Sequence, residues 1–163
     1  MFNIRRGVFE TNSSSMHSLA VTKMSGRELA EIHFHKFIFH IGEFGWESEN
    51  YYGLGDYIWT YLCEKYSDNP EALSEYKNKL YDIMSKYANE VEFEEPRINE
   101  KYHYLEDGYI DHYGELDEFI EHLFNNERLL ISAIINGELE TGNDNSDYIP
   151  EDKEGDYTFY KGN

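Results

Sequence analysis

The chain has 163 residues and carries 33 acidic against 14 basic side chains, which gives a net charge of −19. This charge argues against direct nucleic-acid binding, because affinity for nucleic acid rests mostly on Lys and Arg side chains that neutralise phosphates. The length suits one folded domain, and the 15 Tyr, 10 Phe and 2 Trp argue against a disordered chain. We therefore expect a single domain over residues 1–163 with a core rich in aromatic rings.

The first third of the chain favours strands. Residues 3–10 and 18–24 each mix apolar and polar residues as short strands do. Residues 31–41 are rich in β-forming side chains, with apolar residues on both alternating faces. Such a pattern is typical of a strand that is covered on both sides.

Helical spacing dominates the middle of the chain. Residues 54–66 follow it, and a second helix begins with Asn69 as its cap and Pro70 in its first turn. A third helix is predicted over residues 116–124, whereas residues 128–135 fit either a helical turn or a buried strand. With short strands at residues 91–95 and 157–160, the pattern predicts an α+β fold: a single compact domain with a mixed or antiparallel sheet and about three helices.

Cys63 is the only cysteine, so no disulfide can form within the chain. Its apolar neighbours predict a buried structural thiol and not a reactive one. No segment approaches the roughly 20 apolar residues that a membrane-spanning helix requires. We expect a cytoplasmic protein that makes no membrane contact.

A short polar segment near the start of the chain is the first candidate site. It gathers hydroxyl, amide and imidazole groups, from the residues Thr11, Asn12, Ser13, Ser14, Ser15 and His17. These groups could hold a phosphate or small ligand, or supply a serine with a histidine base. No nucleophile motif accompanies them, so we favour a turn in which the polar side chains bond the backbone.

The same segment carries a resemblance. The run Arg-Gly-Val-Phe-Glu-Thr-Asn-Ser-Ser-Ser-Met-His-Ser, from Arg6 to Ser18, resembles the opening of a group of uncharacterised proteins encoded by phages and prophages of Gram-positive bacteria. Residues 42–47, 141–145 and 160–163 are similar to that group as well. The resemblance implies a viral or mobile-element context. It implies no activity, and no functional residue is carried over from it.

Seven histidines raise the question of a metal site. His33 and His35 share one face of the predicted strand, where we expect partly buried polar residues. Carboxylates lie near imidazoles in residues 111–115 and again at Glu118 and His122. None of these spacings is a recognised zinc motif, and we expect no metal.

Residues 143–147 resemble the start of a calcium loop, and counting from Asn143 places Glu154 at the twelfth position. The sixth position, which needs glycine for the sharp turn, is Tyr148, and Pro150 lies inside the loop. A solvated turn is therefore the better interpretation. The sequence predicts no cofactor.

The acidic residues are concentrated in the second half. Residues 1–89 carry 12 acids and 9 bases, and residues 90–163 carry 21 acids and 5 bases. The acids of the second half form three runs beside predicted elements. The residues that we expect to contact a partner are Glu92, Glu94, Glu95, Glu115, Asp117, Glu118, Glu121, Glu151, Asp152 and Glu154.

Carboxylates held at spacings of roughly 6 to 7 Å could imitate successive phosphates and attract a basic groove. With the phage resemblance, this favours an inhibitor of a bacterial defence enzyme, such as a CRISPR effector or a restriction enzyme, that occupies its nucleic-acid channel. The partner would be a basic protein surface, and the chain itself would not be an enzyme. Two alternatives stay open: a small enzyme or nucleotide-binding protein that uses residues 11–17, and a structural or assembly protein of the virus. A hydrolase with paired carboxylates is a rival interpretation of the same acids.

Overall fold

A computed structural model describes residues 15–143, 150 and 153–161. The strand expected at residues 3–10, Thr11 to Ser14 of the polar segment, and most of the calcium-like loop lie outside the described residues. So do Glu151 and Asp152.

The principal sheet has four antiparallel strands in the order β4-β7-β1-β8. These are β1 (Ser15–Val21), β4 (Glu49–Tyr52), β7 (Glu138–Asn143) and β8 (Tyr157–Lys161). In the register, Leu19 of β1 lies opposite Leu139 of β7 and Phe159 of β8. Every residue of β1 is buried, because this strand lies between two others and beneath a helix.

Two small parallel sheets complete the strands. One pairs β2 (Phe34–Phe39) with β5 (Ala88–Phe93), and the other pairs β3 (Glu43–Phe44) with β6 (Tyr109–Ile110). In the first pair the rings of Phe39 and Phe93 stack with their centroids 4.7 Å apart. Parallel strands need a long crossover connection, and in this chain the connection from β2 to β5 includes two helices.

The described residues contain five helices. They are α1 (Gly26–Ala30), α2 (Gly55–Lys65), α3 (Pro70–Met84), α4 (Asp117–Phe124) and α5 (Glu127–Asn136). Helix α2 is buried along almost its whole length and forms the centre of the core, with Tyr57, Ile58 and Trp59 fully buried. The helices of the described region include none that combines the length and apolar character of a bilayer span.

Local capping explains where the helices begin. The Asn69 side chain accepts a hydrogen bond from Ala72 N at 3.2 Å, and Pro70 occupies the first turn of α3. In the same way Asn126 accepts from Leu129 N at 3.0 Å and starts α5. This cap resolves the ambiguity of residues 128–135 in favour of a helix.

The predicted α+β class is confirmed, with a four-stranded antiparallel sheet and four helices of seven or more residues. The interpretation of residues 31–41 as a strand covered on both faces is wrong. His35 and Lys36 of β2 are exposed, and so is His33 just before it, because a two-stranded sheet leaves its outer face to solvent. The prediction that Cys63 is buried is confirmed.

Candidate functional site

The first acidic run lies on and after strand β5. Glu90 and Glu92 point to solvent, while Val91 and Phe93, which alternate with them along the strand, pack against the core. Their charge is offset by Lys36 of the neighbouring strand, whose Nζ lies 2.9 Å from Glu92 and 3.8 Å from Glu90. This part of the run therefore presents less net charge than its sequence indicates.

The end of the same run is also partnered. Glu94 lies 3.6 Å from the His40 imidazole, and Glu95 lies 3.4 Å from Lys77 Nζ on α3. The Glu95 side chain stays 81% exposed in spite of this contact. Exposed ion pairs of this kind contribute little to stability, but they leave less uncompensated charge on the first run.

The second run begins before α4 and continues along it. Asp117 is held inward, because it accepts a hydrogen bond of 2.5 Å from the Tyr61 hydroxyl and lies 3.0 Å from Lys65 Nζ. Burial and the Asp117 carboxylate together raise the pKa of Tyr61, so this phenol keeps its proton. Glu115 lies 3.8 Å from the His112 imidazole. Asp117 is therefore paired with a cation, and Glu115 lies beside an imidazole.

Glu118 and Glu121 differ from those two residues. Both are exposed on α4, and a spacing of three places them on one side of the helix. Among the residues that the structure describes, no cation lies within ion-pair distance of Glu118, Glu121 or Glu154. Their full charge faces solvent.

Strand β8 brings the third run to the second. The Tyr157 ring stacks on Phe119 of α4 at 5.1 Å and on His122 at 4.1 Å. Burial and, to a smaller extent, the negative charge of the nearby Glu118 raise the pKa of Tyr157. Glu154 and Asp156 directly precede this tyrosine.

We refer to Glu118, Glu121, Glu154 and Asp156 as the α4–β8 patch. Asp156 also anchors the chain locally, because its Oδ2 accepts a hydrogen bond of 2.7 Å from Lys23 N. The structure therefore places Glu154 and Asp156, the described part of the third run, next to a strand that packs on α4, and the first run lies on different elements. Of the expected contact residues, Glu118, Glu121 and Glu154 keep an unpaired charge within the described region.

The described part of the polar segment lies in the core. His17 is fully buried, with its Nε2 2.9 Å from Ser15 Oγ and its Nδ1 2.7 Å from the Tyr57 hydroxyl. Gly45 packs so closely on this pair that a Cβ there would lie 2.9 Å from His17 Nε2. A hydroxyl and an imidazole in this arrangement could exchange a proton, but a substrate has no access to groups this deeply buried.

The network extends to Asp111, which the sequence indicated only as a neighbour of His112 and not as a partner of the polar segment. Asp111 is buried, and its two oxygens accept hydrogen bonds of 3.0 Å from Ser15 N and from the Tyr109 hydroxyl. These bonds satisfy buried polar groups, which supports a structural role for Ser15 and His17. The proposal that residues 11–17 bind a ligand stays a prediction.

The imidazole and carboxylate groups of residues 111–115 lie near each other, but at distances too long for hydrogen bonds. His112 lies 3.7 Å from Asp111 Oδ1 and 3.8 Å from Glu115 Oε2. His122 instead stacks on Tyr157. Within the described ranges, no group of three or more His, Cys, Asp or Glu side chains is arranged to hold a metal ion.

Comparisons with protein-family models, with curated proteins and with solved structures found no match for this chain. Function must therefore be argued from the site itself.

Proposed function

We propose that this protein binds a basic, nucleic-acid-handling protein and blocks its channel by presenting carboxylates where phosphates would lie. The observation that carries the proposal is the α4–β8 patch, in which Glu118, Glu121 and Glu154 keep their charge without a cationic partner among the described residues. A surface of one sign attracts a surface of the opposite sign and raises the rate of encounter.

The rigidity of the patch supports this function. Phe119 is fully buried and Tyr157 packs on it, so the helix that carries Glu118 and Glu121 is packed on the first residue of β8, and Asp156 directly precedes that residue. Fixed charges bind a rigid groove at a lower entropic cost than charges on a disordered tail. The patch is thus better suited to specific binding than the net charge of −19 alone would indicate.

The resemblance of residues 6–18 to phage-encoded proteins supports the class of partner. A virus gains from blocking host enzymes that bind its DNA, and the channels of CRISPR effectors and restriction enzymes are basic. We therefore propose a bacterial defence enzyme as the target, with no chemistry performed by this chain.

Capture from a bacterial lysate tests the proposal. The immobilised protein is mixed at low salt with a lysate of a Gram-positive host, and the column is eluted with duplex DNA before bound proteins are identified. We expect DNA to release a nucleic-acid-binding enzyme, because both ligands compete for one channel. A column that retains nothing at low salt, or that releases nothing to DNA, contradicts channel mimicry.

Two variants of equal net charge distinguish the contribution of the α4–β8 patch from that of the total charge of the protein. The triple variant E118Q/E121Q/E154Q and the control E92Q/E94Q/E95Q change the net charge equally. The first should lose most of the captured enzyme and the second should keep most of it. Equal loss from both baits would indicate that only the total charge matters.

A further inference from the structure

A cleft of about 450 Å³ opens between strands β3 and β4 and the first turn of α2. The rings of Phe44, Tyr51 and Tyr57 form one wall, with Phe44 meeting each of the other two edge-on at 5.1 Å. Asp56 and Tyr52 line the same cleft. The lining therefore combines several aromatic rings with two carboxylates, those of Asp56 and Glu43.

A second cavity of about 280 Å³ adjoins the first. Tyr52, Gly53 and Asp56 line both, so these residues form the boundary between them. The remaining lining of the second cavity is mostly apolar and includes Phe34, Phe37, Ile38 and Ile134. A ligand that reached both cavities would meet an apolar surface on one side and polar groups on the other.

Asp56 is the charged group at this boundary. Its Oδ1 accepts a hydrogen bond of 2.8 Å from His40 N, and no lysine or arginine among the described residues pairs with it. Burial, and to a smaller extent the negative charge of Glu94, raise the pKa of Asp56. A carboxylate in that environment is stabilised by any cation that binds beside it.

Tyr52 is the second unusual group. Its side chain is 77% exposed, and it has no ring contact or hydrogen bond within the described part of the chain. Large exposed aromatic side chains of this kind are typical of binding sites, where a ligand covers the ring. Its position next to Asp56 places an open ring beside a carboxylate.

From this geometry we propose that the Tyr52–Asp56 cleft binds a guanidinium group on an aliphatic stem. The planar cation would hydrogen-bond the Asp56 carboxylate and stack on an aromatic ring, as guanidinium groups do, while the stem would lie against the apolar cavity. An anion would be repelled, because neither lining contains a lysine or arginine. The cleft shares no residue with the α4–β8 patch, so this binding is independent of the function proposed above.

Titration by ¹H–¹⁵N NMR with N-acetyl-arginine amide tests the site. N-acetyl-citrulline amide, which has the same shape without the charge, is the matched ligand. We expect saturable shifts of the Tyr52, Gly53 and Asp56 amides with the arginine compound, and binding at least about tenfold weaker with citrulline, since a charged hydrogen bond is lost. Equal affinities for the two compounds would overturn the proposal. An equal affinity for N-acetyl-lysine amide would overturn the assignment to guanidinium.

Two variants and one control test whether the side chains of the cleft bind the ligand that causes the NMR shifts. Asp56→Asn keeps an oxygen for His40 N, so the fold should survive, yet binding should weaken about tenfold. Tyr52→Ala alters an exposed side chain and should weaken binding severalfold. Asp82→Asn removes one charge from α3 and should bind like the wild type. If Asp56→Asn binds as tightly as Asp82→Asn, Asp56 does not hold the ligand and the proposal fails.

Two further ligands distinguish a small guanidine compound from an arginine side chain of a protein as the natural ligand. Methylguanidinium and the peptide Gly-Arg-Gly are titrated under the same conditions. Similar affinities would assign the site to a small guanidine compound. A peptide that binds at least about tenfold more tightly would assign it to an arginine side chain of a protein, because flanking backbone then contributes to binding.

Discussion

The imidazole ring of His122 stacks on the phenol ring of Tyr157 with their centroids 4.1 Å apart. This contact joins the last turn of α4 to the first residue of β8, two elements that lie far apart in the sequence. Because α4 carries Glu118 and Glu121, and Glu154 and Asp156 lie just before β8, the stack determines whether these carboxylates form one surface. The geometry of the α4–β8 patch therefore depends on Tyr157.

Replacing Tyr157 tests this dependence. Tyr157→Ser removes the ring that packs on Phe119 and His122, so we expect the free energy of unfolding to fall by about 1–3 kcal/mol. Urea denaturation measures the loss. Tyr160→Ser on the same strand is the control, because Tyr160 is more exposed and makes no ring contact among the described residues. Equal losses in the two variants would show that the stack does not hold the strand.

The buried polar network gives a second prediction. Tyr57→Phe removes the hydroxyl 2.7 Å from His17 Nδ1 and leaves a buried imidazole nitrogen without its partner. We expect a loss of about 1–3 kcal/mol in the free energy of unfolding, with partner capture reduced only in proportion. Thermal unfolding and capture are measured on the same preparations. If His17→Ala or Tyr57→Phe abolished function in a fully stable protein, the ligand-site interpretation of residues 11–17 would gain support.

Asp56 gives a pH-dependent prediction. Burial raises its pKa above the ordinary value of 3.8, so in the folded protein the charged form is disfavoured relative to the unfolded chain. Its protonation stabilises the fold below pH 3.8, and that contribution is lost as the pH rises through the higher folded pKa. Asp56→Asn should therefore be more stable than the wild type at pH 7 and equally stable below pH 3.8.

The gain at pH 7 should stay below about 1 kcal/mol, because solvent screens a partly buried carboxylate. Urea midpoints at the two pH values provide the measurement. A variant that is less stable than the wild type at pH 7 would contradict the direction of the shift. Asp56→Asn should thus be more stable than the wild type and bind guanidinium more weakly. A residue that is kept for function at a cost in stability is expected to behave in this way.

Much of the fold follows from local sequence signals. Asn69 and Pro70 predict the start of α3, and the apolar spacing of residues 116–124 predicts α4. Both signals can be recognised in the sequence because helix caps and helical periodicity involve residues only a few positions apart. Strand β7 was not predicted. Its sequence is Glu-Leu-Glu-Thr-Gly-Asn, and the buried Glu140 within it pairs with Lys153 Nζ at 3.1 Å, a contact that the local sequence does not indicate.

The candidate sites were less predictable, since they depend on contacts that are distant in sequence. Ser15 N bonds Asp111, 96 residues away, and His17 bonds Tyr57, 40 residues away. Likewise, the acidic runs were visible in the sequence, but the partners of Glu92 and Glu95 on other elements were not. The fold is needed to see which carboxylates have a cationic side chain beside them.

The salt dependence of partner binding tests the central claim most directly. The affinity of the captured enzyme is measured between low and high salt for the wild type, for E118Q/E121Q/E154Q and for E92Q/E94Q/E95Q. We predict that the wild type and the β5 control weaken steeply with salt, whereas the patch variant starts roughly tenfold weaker and depends less on salt. An affinity for the wild type that does not change with salt, or a patch variant that binds like the wild type, would contradict the account.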